Sequence, residues 1–154
     1  MLRIYDKDIE NKTVVSEVIM PGRGEKCEMP LFLESVSAGF PSPADDYLEG
    51  KLDLNDALIR NPAATFFVRV TGDSMIEAGI HSEDILVVDR SLNPKDGSIV
   101  IAVIDGELLV KRLFMQKGKV YLVPENKYYA PIEIKDEMAF EVWGVVTTVI
   151  HSVI

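Results

Sequence analysis

The chain has 154 residues, a mass of 17.2 kDa and an apolar content of 47%, values typical of one soluble domain with a short extension. Its formal net charge of −9 argues against tight binding to nucleic acid by this chain alone, because phosphate contacts require clustered lysine and arginine, and is compatible with a basic protein partner. A single cysteine, Cys27, excludes an internal disulfide framework; together with the lack of a membrane-spanning stretch or signal-peptide pattern, it predicts a cytoplasmic protein.

Residues 1–38 differ in character from the rest of the chain. They mix opposite charges and contain a loop signal at Pro21–Gly24, and no long amphipathic period appears among them. The short apolar runs Val14-Val15 and Val18–Met20 each have the composition of an added strand. We interpret residues 1–38 as an arm that packs against the body or a partner, followed by a stiff extended linker at Phe40–Pro43.

The pattern from Ala44 to Arg60 is typical of helix. Its apolar positions form a stripe that is interrupted at Gly50, which favours two short helices over one long helix. Asp53 is the expected N-cap of the second helix, and Asn61-Pro62 ends it.

Beyond Pro62 the sequence predicts strands almost throughout. An Asp105-Gly106 pair, suited to positive φ, joins two of them in a hairpin. The expected fold class is therefore mainly β: a compact domain of antiparallel strands over residues 39–154, with short helices near its start. The predicted strands are 66–70, 84–89, 98–104, 107–113, 119–123 and 140–150.

Ser74 lies in Val70–Met75, where a strand ends in a tight turn. A serine becomes a nucleophile only beside a base, and backbone N–H groups of such a turn can form an oxyanion hole. The plainer interpretation is that a serine in Gly-Asp-Ser caps a helix or bonds the backbone.

Lys111 is a cation inside the apolar run Leu108–Leu113. Strand alternation places it on one face with Leu109 and Leu113, whereas Arg112 points the other way. An apolar setting disfavours the ammonium, so the pKa of Lys111 is expected to fall from about 10.4 toward neutrality, as a general base requires. The alternative, and the commoner behaviour of lysine, is that the ammonium snorkels to solvent along its stem.

Other catalytic chemistries find little support in the sequence. His81 and His151 are expected at separate, solvated surface positions, and with Cys27 they form no evident metal-ligand set. No phosphate-binding glycine motif is present. We therefore expect neither a metal nor a cofactor. The segment Ser37–Pro41, which is rich in small residues, could instead contain the peptide bond that the Ser74–Lys111 pair cuts. This arrangement suggests self-cleavage.

Several runs in register resemble the UmuD- and MucA-type members of the LexA family of Ser–Lys self-processing peptidases. The resemblance covers residues 30–150, with 35 positions from Gly39 to Ser74 and 37 from Ser74 to Lys111. The segment ahead of the junction is longer than in UmuD. The matching runs are Ala38–Ala44, Pro62–Val68, Gly72–Ile76, Gly79-Ile80, Asp84–Asp89, Val110–Leu113 and Trp143–Val146.

The resemblance implies specific roles for the serine, the lysine and the small-residue junction. Ser74 would be the nucleophile, Lys111 the general base, and Ala38–Gly39 the scissile bond, with backbone N–H groups of Asp73 and Ser74 as the oxyanion hole. It further implies that RecA filaments on single-stranded DNA stimulate cleavage in the SOS response. The shortened product would then form a homodimer and serve a UmuC-type Y-family translesion polymerase.

The sequence leaves one alternative of another class open. In it the chain is a non-enzymatic dimeric module that regulates a polymerase, and cleavage is vestigial; the Ser74–Lys111 pair counts against this. A LexA-type repressor would need a DNA-binding helix-turn-helix, for which residues 1–38 are too short, and a signal peptidase would need a membrane anchor.

Overall fold

The structure is a computed structural model that describes residues 13–22, 24, 28–32 and 48–154. Antiparallel strands dominate these residues, which confirms the predicted mainly β fold class. The strands are β1 Val14–Ile19, β2 Glu28–Phe32, β3 Leu48–Asp53, β4 Thr65–Thr71, β5 Ile85–Asp89, β6 Ile99–Ile104, β7 Glu107–Gln116, β8 Lys119–Val123, β9 Ile132–Glu133 and β10 Phe140–Ile150. Helical structure in the described ranges comprises α1 Leu54–Leu58 and a single 3-10 turn at Ile76–Ala78.

Eight of the strands form one sheet, in the order β1-β4-β5-β10-β6-β7-β8-β9. The sheet curls until β1 also meets β7, where Val14 pairs with Leu109. Strands β1, β4, β5, β10, β6 and β7 therefore form a closed ring, with β8 and β9 continuing beyond β7. Strand β1 belongs to the expected arm, so this part of the arm packs against the body as a ring strand.

Two tight hairpins of the same kind connect β6, β7 and β8. Asp105 and Gly106 have φ values of 49° and 84°, which confirms the predicted turn. Lys117 and Gly118, with φ values of 50° and 75°, form a second such turn that the sequence analysis did not single out. The two turns fix the register on both sides of β7, and hence the position of Lys111 along it.

Two helices were expected between Ala44 and Arg60, and the prediction of the first helix is wrong. Residues 48–53 form β3, which pairs with β2; residues 44–47 lie outside the described part of the chain. Gly50 is a poor helix former, and a strand partner distant in sequence overrides a local helical pattern. The prediction of the second helix is confirmed, since the Asp53 carboxylate caps α1 by accepting the N–H of Asn55 at 2.8 Å.

The buried apolar residues form two clusters, one containing Ile101 and the other Val100, on opposite faces of β6. Alternate residues of β4, Phe66, Val68 and Val70, point inward and are almost fully buried. They pack with Met75 and Ile80, which follow the strand, so the segment carrying Ser74 is anchored by apolar contacts on both sides.

Gly144 offers a test of this packing. A Cβ at Gly144 would approach Val88 Cγ1 to 2.5 Å and the Asp89 carbonyl to 3.3 Å. Gly144→Ala is therefore expected to lower the free energy of unfolding by about 1–3 kcal/mol. Urea denaturation measures this, with Gly22→Ala as control, because a Cβ there would meet nothing within 4 Å. Equal stability of the two variants would contradict the packing at β10.

Neither helical segment within the described ranges has the length and apolar character needed to cross a bilayer.

Candidate active site

Ser74 lies just beyond the end of β4, in a turn that the chain enters through Gly72 at a φ of 102°. Residues in turns of this composition often face solvent, but Ser74 is fully buried. The next residue, Met75, is fully buried in the core and holds Ser74 at the inner end of the turn.

Lys111 lies in the middle of β7, opposite Val100 of β6. Only 3% of the residue is exposed, and its face-sharing neighbours Leu109 and Leu113 are also buried. The snorkelling alternative is therefore not what the structure shows. The Nζ atom of Lys111 lies 2.7 Å from the Oγ atom of Ser74, within hydrogen-bond distance. The fold thus brings together the two residues that the sequence singled out; we call them the dyad.

Arg112, next along β7, points to the other face, as alternation predicts. Its guanidinium forms an ion pair with Glu125 and donates to the Gly97 carbonyl at 2.7 Å. The strand thus separates two adjacent basic side chains: that of Arg112 is paired with a carboxylate on one face, and that of Lys111 is buried against a serine on the other.

A third group touches the dyad, and it comes from the arm. The backbone N–H of Thr13 donates to Ser74 Oγ at 2.8 Å, and the Thr13 carbonyl accepts the N–H of Val110 at 3.1 Å. Thr13 is fully buried, and β1 follows it directly. Backbone of the arm therefore lies against the serine oxygen in this state of the molecule.

Asp73, the other expected oxyanion-hole residue, is held from a separate segment. The side-chain amide of Asn126 donates to the Asp73 carbonyl at 2.9 Å, and the hydroxyl of Tyr129 donates to its carboxylate. Asn126 is itself fixed, since its side-chain oxygen accepts the N–H of Tyr128 at 3.0 Å. These contacts tie the turn before Ser74 to the loop after β8.

Sequence reasoning missed Asn126 and Tyr129. Both belong to a polar loop that lies more than 50 positions after Asp73, and no local pattern indicates which turn such a loop contacts. Of the other candidates, Ala38 and Gly39 of the expected scissile bond lie outside the described residues, as does Cys27. The expectation that His81 and His151 are separate is wrong, because the fold places them beside each other, with ring centroids 4.6 Å apart.

The model of the Peptidase S24-like family matches residues 30–147, which include both residues of the dyad. The chain belongs to this family of peptidases.

Similarity to individual relatives indicates which members of the family this chain resembles. The chain is 54% identical to protein SamA of Salmonella typhimurium, covering 80% of this chain and 85% of SamA. It is 46% identical to protein MucA of Escherichia coli, covering 82% and 84% of the two chains. Identity to the LexA repressor of Acetivibrio thermocellus is 36%, over 90% of this chain and 63% of the repressor. The resemblance to MucA-type members of the LexA family is confirmed.

Proposed function

We propose that this chain is a UmuD-like SOS mutagenesis protein that cleaves itself between Ala38 and Gly39. The observation that carries the proposal is the buried contact of 2.7 Å between Ser74 Oγ and Lys111 Nζ in a chain of the Peptidase S24-like family. Cleavage divides the chain into an arm, residues 1–38, and a peptidase-like domain, residues 39–154.

The chemistry begins with a neutral Lys111. Burial among apolar side chains favours the uncharged amine, which can accept a proton. As Lys111 takes the proton of Ser74, the serine Oγ bonds to the carbonyl carbon of Ala38. Backbone N–H groups of Asp73 and Ser74 stabilise the resulting oxyanion, and Asn126 and Tyr129 position this turn through Asp73.

The intermediate then collapses. Lys111 gives its proton to the nitrogen of Gly39 as the C–N bond breaks, which releases the new amino terminus and leaves Ala38 as an ester on Ser74. A water molecule attacks this ester, and Lys111 takes the water proton and returns it to Ser74 Oγ. The arm leaves with a carboxylate at Ala38, and the dyad is restored.

The contact from Thr13 supplies a reason for slow resting cleavage. The scissile carbonyl must reach Ser74 Oγ, a position that the Thr13 N–H now contacts at 2.8 Å. Cleavage therefore requires the arm backbone to move away from the serine. A RecA filament on single-stranded DNA would accelerate the reaction if it binds the rearranged state more tightly than the resting one.

After cleavage the domain forms a homodimer that serves as accessory subunit of a UmuC-type Y-family translesion polymerase in the cytoplasm. The net charge of −9 suits a protein that reaches DNA through partners rather than by its own phosphate contacts.

The direct test is mass spectrometry of the chain after incubation with RecA, single-stranded DNA and a nucleotide cofactor. The expected product begins at Gly39 and appears faster than in the absence of RecA. A chain that stays intact in both samples would favour the non-enzymatic polymerase module instead.

Self-cleavage without RecA should accelerate as the pH rises. A lysine base works only in its neutral form, and raising the pH increases that population. We expect slow conversion near neutrality and faster conversion toward a pH of about 10. Time courses on denaturing gels measure the rate at each pH, with Ser74→Ala as the blank. A flat profile would argue against Lys111 as the base.

A further inference from the structure

A second cluster of reactive side chains lies outside the dyad, at the shared end of β5 and β10. Ile85 and Ile150 are the last paired residues of these antiparallel strands. Asp84 and His151, each one residue further, are therefore neighbours, and the loop before β5 brings His81 to the same place. Local sequence does not reveal this cluster because it depends on the strand register.

The carboxylate of Asp84 is the buried centre of the cluster, and only 2% of its side chain is exposed. Its Oδ1 lies 2.6 Å from Nδ1 of His151, and its Oδ2 accepts the backbone N–H of His81 at 2.8 Å. The backbone of Asp84 is fixed as well, since its carbonyl accepts the N–H of Val70 at 3.1 Å.

The His81 ring supplies a nitrogen without a partner. Its Nδ1 is shielded from solvent and makes no hydrogen bond within the described part of the chain. This atom lies 3.7 Å from Asp84 Oδ2, too far for a hydrogen bond to the carboxylate. A buried nitrogen of this kind is costly unless another group satisfies it.

We propose that His81, Asp84 and His151 bind one divalent transition-metal ion, with Zn²⁺ the ion of best fit. Two imidazole nitrogens and one carboxylate oxygen are ligands that Zn²⁺ prefers. The three donor atoms lie within 4.8 Å of one another. Tetrahedral coordination at about 2.0–2.2 Å separates ligand atoms by roughly 3.4 Å, so small rotations of the two rings complete the set.

The ion would have one open position facing water, because the two histidine side chains are each 43% exposed. It would also link the chain after β10 to the loop before β5, two segments joined here by a hydrogen bond between side chains and by the contact of the two imidazole rings. The site does not include Ser74 or Lys111, so the role of the ion is to fasten this end of the ring rather than to act in peptide-bond cleavage.

The test is titration of untagged, chelator-treated full-length protein with ZnCl₂ in a calorimeter, in a Cys27→Ser background that removes thiol binding. One equivalent should bind saturably at micromolar concentration, and Co²⁺ should give the visible absorption of a tetrahedral site. His81→Ala and His151→Gln should each weaken Zn²⁺ binding at least tenfold. Glu83→Gln, which alters an exposed carboxylate in the same loop, should bind as the parent does.

A second measurement guards against misfolded variants. Thermal unfolding should shift upward with Zn²⁺ in the parent and in Glu83→Gln and stay unchanged in His151→Gln, whose amide can still donate to Asp84. The proposal is overturned if no saturable binding occurs, or if all four proteins bind Zn²⁺ equally; either result would identify the cluster as a hydrogen-bonded histidine–aspartate pair.

Discussion

Ser74→Ala and Lys111→Ala are each expected to lower the rate of arm removal by at least about 10³-fold, with or without RecA. Alanine at position 74 removes the nucleophile, and alanine at 111 removes the base that lies 2.7 Å from it. Because the two groups act as a unit, the double variant should be no slower than either single variant. Mass spectrometry of timed samples measures the loss of the arm.

Matched variants at position 111 distinguish loss of catalytic activity from loss of the folded structure. Lys111 is buried, so truncation to alanine leaves a cavity that costs stability. Lys111→Met keeps most of the volume without the amine and should be folded and inactive. Lys111→Arg should also fail, since a guanidinium is not deprotonated at working pH. Cleavage at the same bond in Ser74→Ala, shown by sequencing the product, would remove the serine from the mechanism.

Gly39→Val and Ala38→Trp should block processing by a different route. The scissile segment must lie extended beside Ser74, and a bulky residue there clashes or turns the carbonyl away from the serine. We expect self-cleavage at least about 10²-fold slower in either variant, measured by the appearance of the shortened chain.

The dyad itself remains intact in these two variants. Each should therefore still cleave a separately added peptide that spans Ser37 to Phe40. Unchanged self-cleavage in Gly39→Val would mean that another bond is cut, and N-terminal sequencing of the product would identify it.

The sequence predicted best what depends on neighbours in the chain. The hairpin at Asp105-Gly106 rests on the φ preference of two residues, and the bounds of β8 and β10 follow from short apolar runs between turns. The alternation of β7 placed Lys111 on the face of Leu109 and Leu113, but it did not reveal how deeply that face is buried.

What the sequence did not predict depends on contacts between distant segments. Strand β3 forms because β2 pairs with it, and the local pattern of apolar residues does not indicate that such a partner exists. Likewise, Asn126 reaches Asp73 across 53 positions, and Thr13 reaches Ser74 across 61. Such pairs are set by topology, and a single sequence gives no measure of which loops meet.

Strand β1 lies ahead of the Ala38–Gly39 bond, yet it is one of the strands that close the ring. In the intact chain its tether keeps the local concentration of β1 beside β4 high, whatever the concentration of protein. After the proposed cut, the same ladder of five residue pairs with β4 holds a separate peptide, and dilution then favours its dissociation. Dissociation leaves backbone donors and acceptors of β4 unpaired, an edge to which a strand from another chain can add. Hydrolysis of one peptide bond thus converts β1 from a covalently attached strand of the ring into a bound peptide that another strand can replace.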